Sequence, residues 1–118
     1  MKRRLYTDEE IKILKKNIFI DDILYKRQIV YDPVFKLWSI FMKLEKPELT
    51  AKEIFERAGI NTMILHPSLP RNRIKEWLYN YKKFGIEYFI SVDEVYTITN
   101  SFKKKILNIL LERMNNYD

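Results

Sequence analysis

Pro70-Arg71-Asn72-Arg73-Ile74-Lys75-Glu76-Trp77-Leu78-Tyr79-Asn80-Tyr81-Lys82-Lys83-Phe84 is the stretch whose reading decides the fold of this 118-residue chain. Ile74, Trp77, Leu78 and Tyr81 recur at helical spacing and form one apolar stripe. The remaining faces carry Arg71, Arg73, Lys75, Asn80, Lys82 and Lys83, with Glu76 the only acid. Such a helix locks into a core through Trp77 and turns cations and amides outward. A helix that enters a DNA groove needs that division.

Two helices precede it. Asp32 caps one that opens with Pro33 and ends near Lys46-Pro47, with Phe35, Trp38 and Met42 on one face and Phe41 beside them. Thr50 caps a shorter one, Ala51 to about Ala58, where Glu53 completes a capping box. Ile54, Phe55 and Ala58 form its inner side, and Gly59 ends it. With Ile74, Trp77 and Tyr81, these apolar faces make one shared core. The same pattern fits an ordinary three-helix bundle with a solvated lysine face.

Further out, Thr7 and Glu10 frame a capping box for a helix reaching about Asn17, with Ile11 and Leu14 inward and Lys12, Lys15 and Lys16 outward. Residues 18–31 turn β-prone, most firmly at Ile29-Val30-Tyr31. After Gly85, Ile86–Ile90 and Val95–Thr99 read as a hairpin around Ser91-Val92-Asp93-Glu94. Asn100 or Ser101 then caps a last helix, with Phe102, Ile106, Ile109 and Leu110 on one side. At an offset of 67 residues, Ile23, Phe35, Lys36, Leu44 and Glu45 meet Ile90, Phe102, Lys103, Leu111 and Glu112. Residues 86–118 therefore read as an incomplete repeat or an oligomerisation element.

Composition narrows the function. With 47% hydrophobic and 14% aromatic residues the chain can bury a core of its own. Two glycines leave no room for a phosphate-cradling loop, and the absence of Cys removes disulfides and thiolate metal sites. No segment has the length or apolarity of a signal or a membrane span, so a cytoplasmic protein with no membrane partner is expected. The net charge of +6 is uneven. Residues 1–16 hold six bases against three acids, and residues 65–84 hold five against one. Residues 85–100 hold three acids and no base. That distribution suits a polyanion, although it would also serve solubility alone.

No catalytic set emerges. His66, the only histidine, sits in a loop and reads as a capping or packing residue. Asp21-Asp22 and Asp93-Glu94 read as solvated turns, so no metal site, no cofactor and no enzymatic activity are expected.

Tyr6-Thr7-Asp8-Glu9-Glu10-Ile11, Ile29-Val30-Tyr31, Phe35-Lys36, Ile54-Phe55-Glu56-Arg57-Ala58-Gly59-Ile60 and Arg73-Ile74-Lys75-Glu76-Trp77 together carry a resemblance. Over roughly residues 5–85 the chain resembles the homeodomain-like helix-turn-helix proteins of low-GC Gram-positive bacteria. That group is similar to the N-terminal DNA-binding domains of insertion-sequence transposases. The resemblance implies that the Ala51–Ala58 and Pro70–Phe84 helices are the helix-turn-helix pair. Two features depart from it: the long link Glu45–Leu49, and the stretch Asn61–Leu69 between the paired helices. Either a small extra helix fills that stretch or the groove-binding helix is displaced.

The expected architecture is mostly α. Residues 1–32 form a leading helix and short strand, 33–85 a three-helix homeodomain-like unit, and 86–118 a trailing hairpin and C-terminal helix. The expected function is binding of double-stranded DNA, in transcription regulation or in a mobile element, close to the nucleoid. Arg71, Asn72, Arg73 and Glu76 would read base edges, since Arg pairs with guanine and Asn with adenine. Lys75, Asn80, Lys82, Lys83 and the arm Lys2-Arg3-Arg4 would bind phosphate, the arm from a minor groove. The competing expectation is a regulatory interaction module that pairs with a partner or a second copy through Phe102, Ile106, Ile109 and Leu110. A small nuclease or toxin would need clustered acids that the sequence lacks.

Overall fold

Side-chain caps set where the helices begin. Thr7 and Glu10 exchange both bonds of a capping box at the start of α1 (Asp8–Lys15), and Thr50 and Glu53 do so for α3 (Ala51–Arg57). The backbone and side-chain bonds from Thr50 hold the Glu53 carboxyl below its usual range. Asp32 caps α2 (Pro33–Glu45) by accepting from the Val34 N–H at 2.8 Å. These starts coincide with the sequence reading.

The computed structural model describes residues 5–114. They form six α-helices and one two-stranded antiparallel sheet, β1 (Ile20–Leu24) with β2 (Gln28–Tyr31). The chain continues from α2 and α3 to α4 (Leu69–Phe84), a 3₁₀ turn at Ile86–Tyr88, α5 (Val92–Thr97) and α6 (Ser101–Met114). Among the described residues no helix is long and apolar enough to cross a membrane.

The core is built on aromatic rings. Tyr31, Phe35, Phe55 and Trp77 come from β2, α2, α3 and α4, and their centroids lie 5.1–6.2 Å apart. Most of these contacts are edge-on, the arrangement that ring quadrupoles favour. Phe19 extends the cluster toward α6 by stacking on Phe35 at 5.6 Å and meeting Phe102 at 6.4 Å. Asn17 ties the end of α1 to α3 by donating to the Ala58 carbonyl at 2.8 Å.

The structure corrects several expectations. The hairpin leads the chain instead of trailing it: residues 18–31 fold as β1 and β2, whereas Ile86–Thr99 becomes the 3₁₀ turn and α5. Ser91 is not in a strand turn but caps α5, accepting from the Glu94 N–H at 3.2 Å. Asp93 and Glu94 therefore sit in the first turn of a helix, where acids favour the dipole. The β-prone composition was outweighed by this cap and by the burial of Phe89 and Ile90. The proposed repeat likewise fails at the hairpin, since residues 86–98 build no counterpart to β1 and β2.

Helix α2 is also buried on more than the expected face. Val34, Phe35, Leu37, Ile40 and Phe41 are all buried, while Trp38 and Met42 are only half-buried. The reason is α6, which packs along α2 and places Leu107 and Leu110 at 0% and 2% exposure. No extra helix fills the Asn61–Leu69 stretch: residues 61–68 are turns and irregular chain, and α4 starts at Leu69 with no side-chain cap from Ser68. Asp21 and Asp22 lie in β1, with a bulge between Ile20 and Asp22 at Asp21.

That bulge brings Asp21 toward Asp32, whose other carboxylate oxygen meets Lys103 Nζ of α6 at 2.7 Å. Partial burial, and then the Asp32 charge, raise the Asp21 carboxyl above its ordinary value. Native protein thus keeps a proton that unfolded chain has lost, and stability falls as pH rises through that interval. Asp21→Asn is expected to raise the thermal midpoint at pH 7, with the gain fading below the ordinary carboxylate range near pH 3.8; melts at pH 3 and pH 7 check this. Lys103→Ala leaves a nearly buried Asp32 without its cation and should cost about 2 kcal/mol in urea unfolding. The exposed neighbour change Lys104→Ala should stay within about 0.5 kcal/mol.

Candidate nucleic-acid interface

Helix α4 divides its residues by angle. At about 100° per residue, Arg71, Lys75 and Lys82 fall within roughly 40° of one another, on the side away from Trp77. All three are exposed, as are Asn72, Glu76 and Lys83. Pro70, Ile74, Trp77 and Tyr81 are buried on the opposite side. The predicted stripe is thus the inner face, except that Leu78 lies at its margin, half-buried.

Two predicted site residues sit elsewhere. Asn80 is half-buried on the flank of α4. Arg73 shares that flank, with its side chain only 27% exposed and its guanidinium 3.7 Å from the Glu76 carboxylate. Its Nε is buried and makes no hydrogen bond. Lys83 is partly engaged within the helix, its ammonium 3.3 Å from the Tyr79 hydroxyl and 5.5 Å from the Tyr79 and Phe84 rings. Lys2, Arg3 and Arg4 lie outside the described residues.

Arg73 leans into a cleft of about 580 Å³ between β2, the 63–69 segment and the first half of α4. Arg27 and Gln28 rise on the hairpin side, and Asn72, Arg73 and Glu76 on the helix side. Trp77 and Tyr31 contribute to its lining, and Lys36 sits 5.9 Å from the Trp77 ring. No local pattern announces this cleft, because Arg27 and Arg73 are 46 positions apart and only the packing of β2 near α4 joins them. His66 lies on the rim, where Nδ1 is 2.8 Å from Ser68 Oγ and accepts from the Ser68 N–H at 3.2 Å. That bond secures a backbone donor just ahead of α4, as expected of a capping residue.

On α6 the four expected pairing residues separate. Leu110 is buried in the chain's own core and Ile106 is half-buried, whereas Phe102 and Ile109 are 56% and 46% exposed. Leu110, at 2% exposure, belongs to the chain's own core and is not available to a partner.

No protein-family model, curated protein or solved structure matches this chain.

The two faces of α4 should respond differently to substitution. Trp77→Ala should destabilise by about 3–5 kcal/mol, as truncation of a large buried ring does. Arg71→Ala, Lys75→Ala and Lys82→Ala should each stay within about 0.5 kcal/mol, because their side chains are solvated. Urea unfolding of the four variants checks both halves.

Proposed function

We propose that this chain binds double-stranded DNA, with α2, α3 and α4 acting as a homeodomain-like helix-turn-helix unit and α4 lying in the major groove. The observation that carries this reading is the two-sided character of α4. Trp77 fixes the helix to the aromatic cluster, while Arg71, Lys75 and Lys82 form an exposed basic row. Asn72 and Glu76, beside that row, have the groups needed to contact base edges. Lys82, Lys83 and the arm Lys2-Arg3-Arg4 add phosphate contacts. The chain would act in transcription or in a mobile element, near the nucleoid. The turns spanning 58–68 make the link between α3 and α4 longer than an ordinary helix-turn-helix, so α4 would dock at its own angle.

With about five phosphates neutralised, the log–log slope of affinity against salt should be roughly −4 to −5 on a mixed-sequence duplex. Arg71→Ala/Lys75→Ala should flatten that slope by about 2 and leave the fold intact. A folded protein without low-salt binding would rule the reading out.

A second reading is favoured by Phe102 and Ile109, whose exposed apolar groups suit association through α6. Ile109→Asp tests it without disturbing the core, unlike a change at the half-buried Ile106. Sedimentation should show loss of a dimer if α6 pairs two copies, and an unchanged monomer would dismiss the idea.

A further inference from the structure

The tip of the hairpin combines features that the fold itself does not require. Arg27 N–H donates to the Leu24 carbonyl at 2.9 Å, closing a turn whose central residues Tyr25 and Lys26 have φ of 53° and 56°. Both dihedrals are positive, as in a type I′ turn, where Gly or Asn is the usual occupant. Tyr and Lys in that region carry backbone strain, and strained positions of this kind concentrate where side chains have work to do. Tyr25 nevertheless projects its ring into solvent at 88% exposure. Arg27 beside it is exposed as well, and Lys26, also exposed, places its ammonium 3.0 Å from the Asp8 carboxylate of α1. The turn is held in place from behind, because Tyr6 N–H donates to the Lys26 carbonyl at 2.7 Å.

Arg27 and Gln28, next to this tip, line the cleft that borders the basic face of α4. Asn72 and Glu76 belong to both surfaces, exposed on the helix and lining the cleft. A duplex lying on α4 would therefore bring one strand of its backbone along the cleft mouth. Three cations line the cleft, Arg27, Lys36 and Arg73, against the single carboxylate of Glu76. Arg73 keeps part of its side chain exposed, and a guanidinium lining this cleft is a donor suited to a phosphate oxygen.

We infer that the β1–β2 hairpin is a second DNA contact, acting as a wing: Arg27 from the hairpin and Arg73 from α4 grip one phosphodiester backbone between them, and Tyr25 and Lys26 lie along its sugars and phosphates. This rests on the DNA-binding reading above and deepens it. It also moves Arg73 from reading bases to holding phosphate.

The test compares three variants with the wild type in salt titrations against a mixed-sequence duplex, and in selection from a random duplex library. Arg27→Ala and Arg73→Gln should each flatten the salt slope by about 1 and leave the selected sequence unchanged, because phosphate contacts position without specifying. Tyr25→Gly relieves the positive φ and should keep the thermal midpoint at or above that of the wild type while weakening DNA binding several-fold. A wild-type slope in Arg27→Ala together with wild-type affinity in Tyr25→Gly would overturn the inference. So would a changed base preference in Arg73→Gln. If inorganic phosphate raises the wild-type melting midpoint but not that of Arg27→Ala, while DNA slopes stay equal, the cleft takes a free anion and the wing is refuted. Arg71→Ala/Lys75→Ala serves as the reference: its loss of binding with an unaffected hairpin variant would defeat the wing alone, whereas no DNA binding by any protein would defeat the underlying reading.

Discussion

Everything that α4 can present depends on the contact of its Trp77 with Tyr31, Phe35 and Phe55. These four rings meet at centroid separations of 5.1–6.2 Å, and each arrives from a different element. Rings this close leave few alternative arrangements, since repositioning one opens a gap beside three. The rotational setting of α4 follows from that constraint. With Trp77 and Tyr81 held inward, Arg71, Lys75 and Lys82 have no direction left but outward.

Asp32 links a second set of elements. One carboxylate oxygen caps α2 and the other binds Lys103, so the residue that starts the central helix also anchors α6. Asp21 crowds the same place from the β1 bulge and is held toward its protonated form. Two carboxylates and one ammonium thus share the junction of sheet, α2 and α6.

Local signals in the sequence proved dependable where they specify backbone hydrogen bonds within a few residues. The Thr7–Glu10 and Thr50–Glu53 capping boxes, the Asp32–Pro33 start and the Gly59 stop at φ 83° all form as the residue types imply. The apolar stripe of α4 was legible for the same reason, as a periodicity inside one helix. β-propensity misled at Ile86–Thr99, because it is a weak, context-dependent preference and the Ser91 cap starts a helix there instead. Leu37 and Ile40 went unread as core because burial on a second face of α2 depends on α6, which lies more than 50 residues away.

The sequence by itself determined that the chain is mostly helical, where four of its helices begin, and that one of them is apolar behind and basic in front. Those properties are set by neighbours along the chain. Only the tertiary structure decided that the hairpin is the leading one, that Arg27 and Arg73 line one cleft, and that the Arg73 side chain is largely covered. The physical reason is that helical periodicity assigns an angle on one helix, whereas exposure at that angle depends on what packs beside it. Arg27 and Arg73 meet across a cleft because Tyr31 of β2 and Trp77 of α4 are buried in one cluster, and no spacing within either segment encodes that meeting.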